Sequence, residues 1–331
     1  MLVNKMNDKI KITTDDGKPV EAKAPIIISA SRSTDIPAFY AKWFVDRLKA
    51  GYCIWYNPFN RQPMYVSFKN CKLVVFWTKN PKPLIPYLNE LEERGIYYYF
   101  QYTLNDYEKE KFEPNVPALA NRIETFKELS SLIGKDRVIW RFDPLILTDE
   151  LNPRALLTRI RHIGNALKGY TDKLVFSFVD VMAYRKIQNN LIKETNFFTK
   201  ENLHRAEPTR AQINEIVDGL VKMREDWAQS GWNISLATCA EEIDLDKYGI
   251  EHNRCIDGAY LNYGELPEKT LFGDESKVSL KPMMLKDKGQ RKACGCMISK
   301  DIGMYNTCPH FCVYCYANTS RKAVRADKDN L

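Results

Sequence analysis

No apolar run in this chain approaches the ~18 residues of a membrane-crossing helix, so no membrane span is expected. The first residues, Met-Leu-Val-Asn-Lys-Met-Asn-Asp, have no secretory apolar core, and a cytoplasmic location is the expectation. Lysine and arginine are scattered, with no block of five or six like charges of the sort that marks a basic tail. No nucleic-acid module is recognisable. Histidine is scarce, with four in 331 residues, and His162, His204 and His252 stand isolated, which argues against a histidine-built metal site. The net charge of +7 is mild. It suits a well-solvated surface first and an anionic partner, nucleic acid included, second.

What the chain does have is nine cysteines. A cytoplasmic protein keeps thiols reduced, so that number points to metal or catalysis rather than disulfides. Cys53 and Cys71 sit in apolar settings and read as buried structural thiols. Cys308-Pro-His-Phe-Cys312-Val-Tyr-Cys315 is different, because three thiols fall within eight residues and one short loop can gather them. Iron–sulfur cubanes normally take four cysteine thiolates. Three on one loop leave the fourth iron to another cysteine or to a chelating small molecule.

From Pro25 onward, short β-branched or aromatic runs alternate with amphipathic stretches. Strands are expected at 26–29, 73–77, 97–102, 138–142, 174–179, 234–238 and 301–305. Helices are expected at about 38–50, 83–94, 117–133, 152–168 and 209–229, with a further one at 316–325. Strands alternating with helices mean βαβ units and a parallel sheet. Each of the first six strands ends in polar residues: Ser31 to Asp35, Thr78 to Asn80, Gln101 and Thr103, Arg141 and Asp143, Ser177 and Asp180, and Thr238, Glu241 and Glu242. An open doubly wound sheet fits the same alternation. The polar tails favour an α/β fold of the partial TIM-barrel type, a (β/α) barrel of about seven strands with its site at the strands' C-terminal ends. Residues 1–24 alternate around Asp15-Asp16-Gly17-Lys18 and read as an N-terminal β-hairpin extension, with the barrel spanning 25–331.

The spacing Cys-x3-Cys-x2-Cys, with Tyr314 before the last cysteine, resembles the signature of the radical S-adenosylmethionine enzymes. Ser-Arg-Ser-Thr-Asp-Ile-Pro (31–37), Phe-Trp-Thr-Lys-Asn-Pro (76–81), Trp-Arg-Phe-Asp-Pro (140–144) and Thr-Cys-Ala-Glu-Glu-Ile-Asp (238–244) resemble a bacterial family of unknown function with a C-terminal cysteine cluster of that kind. The resemblance implies a 4Fe-4S cluster on Cys308, Cys312 and Cys315, S-adenosylmethionine on the open iron, a 5'-deoxyadenosyl radical, and a reductant such as flavodoxin or ferredoxin. The superfamily usually carries its cluster loop near the N-terminus. Its place here, in the segment 301–325, implies a circular permutation in which strand 301–305 lies beside strand 26–29. The Gly-Gly-Glu motif common after the superfamily's second strand is missing. Ser31, Arg32, Gln101, Arg141 and Tyr314 are the expected S-adenosylmethionine ligands, and Lys79, Asp143 and Glu241 the expected substrate-facing residues.

Four thiols remain, Cys239, Cys255, Cys294 and Cys296, and they are expected to form one site within 239–296. A second 4Fe-4S cluster is preferred there, with zinc as the alternative, since structural zinc accepts four thiolates equally well. His310, inside the loop, either tunes the cluster or faces solvent. The competing reading of the whole chain is a non-enzymatic zinc or iron–sulfur protein serving structure or electron transfer.

Overall fold

The computed structural model describes residues 7–264 and 286–327. Eight parallel strands form the main sheet. They are β3 (Ile27–Ala30), β6 (Leu73–Thr78), β7 (Tyr97–Thr103), β8 (Val138–Leu145), β9 (Lys173–Phe178), β10 (Ser235–Thr238), β11 (Ile250–His252) and β12 (Lys300–Asp301). Their order is β11-β10-β9-β8-β7-β6-β3-β12, so the last strand in sequence docks on the first of the sheet. The register sets Lys300 opposite Ile28 and Asp301 opposite Ser29, which is the neighbour relation a permuted unit requires. β12 is two residues long, not five. The Asp301 carboxylate turns back to accept from Gly303 N–H at 2.9 Å, and the chain leaves the sheet there.

A smaller four-stranded sheet has the order β1-β2-β5-β4. The hairpin expected at the N-terminus is its β1 (Asn7–Thr13) and β2 (Pro19–Pro25), paired antiparallel. Two further strands, β4 (Tyr52–Tyr56) and β5 (Pro63–Ser67), complete it, and the sequence reading had not separated them. Helices cover the main sheet. Leu119–Ile133, Pro153–Ala166 and Arg210–Gln229 fall where periodicity puts them. The last begins with a Thr209/Gln212 capping box, which satisfies two otherwise unpaired N–H groups. Its neighbour Pro153–Ala166 approaches closely because Gly164 has no side chain; a Cβ there would stand 2.3 Å from the Trp227 ring. The helix Arg185–Glu194 was not anticipated, and the stretch 83–94 forms only the short turns Ile85–Tyr87 and Asn89–Glu92. Among the described residues no helix is long and apolar enough to cross a membrane.

The strands' twofold side-chain alternation sorts the core into two faces. Ile28, Val74, Phe76, Tyr98, Phe100, Trp140 and Phe176 pack into the large core with the helices. Ile27, Leu73, Val75, Tyr99, Ile139, Val175 and Ala237 form a second cluster, which also contains Cys255, Cys294 and Cys296. Continuing that second alternation toward the strands' C-terminal ends brings Ser29 and Ser31, Trp77 and Lys79, Gln101 and Thr103, Arg141 and Asp143, Ser177, and Cys239 and Glu241 to one face. The helix-covered face is mostly apolar, whereas the opposite face becomes strongly polar where the strands end.

Candidate functional site

At those strand ends lies a cavity of about 690 Å3. Its wall includes Ser31, Trp77, Lys79, Thr103, Arg141, Asp143, Ser177 and Glu241, and all seven cysteines outside the structural pair: Cys239, Cys255, Cys294, Cys296, Cys308, Cys312 and Cys315. Arg32 and Tyr314 line it as well. Gln101 does not; it stands behind the wall, donating to Cys255 C=O at 2.9 Å and accepting from Arg141 Nη1 at 3.1 Å. Cys53 and Cys71 are buried elsewhere, as expected.

The C-terminal loop is held from several sides. Asp301 accepts from Ser29 Oγ and Arg32 N–H with one oxygen, at 2.9 and 2.8 Å, and from Ser33 Oγ with the other at 3.2 Å. Tyr40 donates to Thr307 C=O at 2.6 Å, and Val313 N–H donates to Phe112 C=O at 2.9 Å. Amide N–H groups of His310 and Asp35 point at the Cys308 sulfur, and those of Ala317 and Asn318 at Cys315. Such donors favour a thiolate over a thiol. Without a metal, burial pushes Cys308 up to about 12 and raises Cys312 and Cys315 too, so metal binding would release protons. The helix expected at 316–325 begins only at Arg321.

Behind the loop is a buried polar network. Lys79 Nζ donates to Glu113 at 2.8 Å and to the Tyr314 hydroxyl at 2.9 Å. Asn105 donates to the same two groups, and the Tyr314 hydroxyl also donates to Glu113. Burial alone would raise the Glu113 carboxyl, but Lys79 and Arg122 outweigh it and hold it down at about 2. Lys79 thus reaches the cavity with its charge already paired, beside Cys312. His310 is buried and bonds Asp35 at 2.8 Å, which removes the solvent-facing alternative. Asp35 caps its helix by accepting from Ala38 N–H at 3.0 Å.

Across the cavity, Arg141 donates to the Cys255 sulfur at 3.0 Å and pairs with Asp143, which also accepts from Ser177. Glu241 accepts from Phe178 N–H at 2.7 Å. Burial away from water raises its carboxyl to about 7. The Cys239 and Cys255 sulfurs lie 3.4 Å apart. Among the described residues, no three His, Cys, Asp or Glu side chains are already set around the place of a single metal ion. A four-iron cube holds its thiolates farther apart than one ion does, one to each iron. The arrangement on the triad loop, with amides aimed at its sulfurs, fits such a group.

One family model matches the chain, described as Domain of unknown function (DUF1848), over residues 27–317. This chain belongs to that family. No curated protein and no solved structure matches it. The match begins at the start of β3 and ends just past Cys315, so this family's domain includes both the sheet and the triad loop.

Several members of the site were not singled out from sequence. Asp301, Glu113 and Asn105 have no recognised motif around them, Trp77 lies within the Phe-Trp-Thr-Lys-Asn-Pro phrase but carries no role from it, and the roles of all four depend on partners far away in the chain. Arg291, from the loop carrying Cys294 and Cys296, reaches Asp180 at 2.5 Å and the Tyr184 hydroxyl at 2.6 Å, drawing that loop over the cavity. The central part of the region expected to carry a second cluster, 265–285, lies outside the described residues.

Proposed function

We propose that this protein is a radical S-adenosylmethionine enzyme on a circularly permuted (β/α) barrel. The observation that carries the reading is the placement of Cys308, Cys312 and Cys315 on the cavity at the C-terminal ends of parallel strands, the end at which barrel enzymes build their sites. Barrel closure is part of the proposal. Polar tails from β3 through β10 share one cavity with the loop that follows β12, and a sheet curved onto itself accounts for that.

Cys308, Cys312 and Cys315 would hold a 4Fe-4S cluster, leaving one iron for S-adenosylmethionine. With both bound, the chemistry supplied is one-electron cleavage of the sulfonium to a 5'-deoxyadenosyl radical, with the hard step carried by the cofactor. The chain's own residues orient and shield. Asp301 ties the loop to β3, Lys79 and Tyr314 brace Cys312 from behind, and the apolar base of the sheet face excludes water. Thr103 lines the cavity and can meet polar groups of the cofactor or substrate, whereas Ser31 Oγ is taken up by the amides of Ser33 and Thr34. Glu241 is the carboxyl positioned to exchange a proton in the cavity. An anionic substrate, nucleic acid included, suits the net charge of +7, and a cytoplasmic setting with a flavodoxin or ferredoxin as donor suits the reduced thiols.

The test is anaerobic reconstitution with iron and sulfide, then dithionite and S-adenosylmethionine, with 5'-deoxyadenosine measured by chromatography. The wild type should release it and Cys312→Ala should not. Brown protein with no cleavage would move the chain to an electron-transfer or structural role.

A further inference from the structure

Trp77 is flanked by two guanidinium groups, Arg32 at 5.5 Å and Arg141 at 5.1 Å from the ring centroid. Both arginines also face sulfur. Arg141 Nη1 donates to Cys255 at 3.0 Å, and the Arg32 guanidinium lies near Cys296 and Cys255. The four cysteines are neighbours in one corner: the Cys239 and Cys255 sulfurs lie 3.4 Å apart, with Cys296 near Cys255 and Cys294 near Cys296. Further donors point at the same sulfurs. Asn253 Nδ2 reaches Cys255 at 3.2 Å, and Ile256 N–H reaches Cys296 at 3.4 Å. Arg32 Nη2 is buried with no hydrogen-bond partner.

A cation buried beside neutral thiols is costly, and among the described residues only Arg141 of the two has a carboxylate partner, Asp143. Four neutral thiols would also leave the three donors on Cys255 and Cys296 poorly matched, because a thiol sulfur is a weak acceptor. Both costs vanish if the sulfurs are thiolates on a metal. Four thiolates around a zinc ion, or around an oxidised 4Fe-4S core, carry a twofold negative charge. Arg32, with Arg141 shared between the sulfurs and Asp143, offsets that charge. Cation–π contact with Trp77 helps hold both groups where sulfur needs them.

We propose that Cys239, Cys255, Cys294 and Cys296 bind a thiophilic metal centre of their own, with Arg32 and Arg141 as its counter-charges across Trp77. The two arginines then serve this centre rather than the S-adenosylmethionine carboxylate. The proposal is independent of the radical reading, since the triad takes no part in it.

The test uses the full chain with Cys308, Cys312 and Cys315 all changed to Ala. It is reconstituted anaerobically with iron and sulfide, and separately loaded with zinc. Metal and acid-labile sulfide are then counted after gel filtration. The expected result is one centre per chain, either four iron with four sulfide or one zinc. Adding Cys255→Ala or Cys239→Ala should abolish it, while adding Cys71→Ala should leave it intact. Partners that orient and charge-balance metal ligands typically contribute ~10- to 100-fold in affinity. Arg141→Gln should therefore lose metal to a chelator at least about tenfold more readily, with Arg141→Lys between it and the parent. No bound metal in the triad-free chain, metal that survives Cys255→Ala, or unchanged retention in Arg141→Gln would each overturn the proposal.

Discussion

The two cysteine groups share one cavity but are built in opposite ways. Cys308, Cys312 and Cys315 come from a single eight-residue loop, aimed by backbone amides and braced from behind by a Lys79–Glu113–Tyr314 network. Cys239, Cys255, Cys294 and Cys296 come from a strand end and two later loops, and side-chain guanidinium groups face them. A local loop keeps its spacing whatever the rest of the chain does. An assembled site exists only when the sheet, the Cys255 loop and the Arg291-anchored loop are all in place. On the proposed readings, the first group would leave an iron open to a small molecule, whereas the second would supply every ligand itself.

The largest way to break this comparison is the buried carboxylate behind the triad. Glu113→Gln leaves Lys79 and Arg122 buried without their counter-charge. Breaking a buried pair from one side costs ~3–5 kcal/mol, and denaturant unfolding should show a loss of that size. Gly303→Ala separates the groups more selectively. Its Cβ would stand 1.9 Å from Ser31 Oγ, so the terminal segment must shift off β3. Overpacking of this kind costs ~1–3 kcal/mol. Iron at the triad should fall, measured as cluster absorbance in a Cys255→Ala background, while the triad-free chain carrying Gly303→Ala keeps its metal.

Gly164→Ala is a control away from both groups. It drives a methyl into the Trp227 ring and should destabilise by a similar ~1–3 kcal/mol with metal content per folded chain unchanged. The smallest expected effect is at Lys300, on β12 beside the clamp residue Asp301. Burial lowers its ammonium from 10.5 to about 8. The folded state therefore binds the proton less tightly than the unfolded chain. The resulting penalty is present in full below about pH 8 and is relieved as pH rises toward 10.5. The Trp55 ring, 3.1 Å from Nζ, offsets part of it. A shift of that size carries at most ~3 kcal/mol. With the Trp55 offset and partial solvent exposure, the wild type should gain on the order of 1 kcal/mol relative to Lys300→Met between pH 7.5 and 10.5, read from urea midpoints.

What could be read from the sequence was what is local or periodic. The triad loop is one stretch, and the alternation of Leu73 to Trp77 or Tyr97 to Tyr102 marks buried strands without any knowledge of neighbours. The polar tails gave the edge at which the cavity lies. The neighbour relation of Lys300 with Ile28 followed from permutation alone. The roles of Arg32 and Arg141 did not follow, because nothing near either residue in sequence shows that Cys296 or Cys255 will lie against it. Lys79 looked like a free cation at a strand end; Glu113, thirty-four residues on, pairs it. The end of β12 was misplaced because its own Asp301 side chain replaces the ladder bonds that would have prolonged it.

The account rests on an iron at the triad loop that a small molecule can reach. The most direct measurement is the electron paramagnetic resonance spectrum of dithionite-reduced Cys255→Ala protein, in which the triad cluster is the one expected to remain, before and after adding S-adenosylmethionine. The account predicts that the reduced-cluster signal changes on addition. A spectrum identical with and without S-adenosylmethionine, in protein shown to contain the cluster, would contradict it.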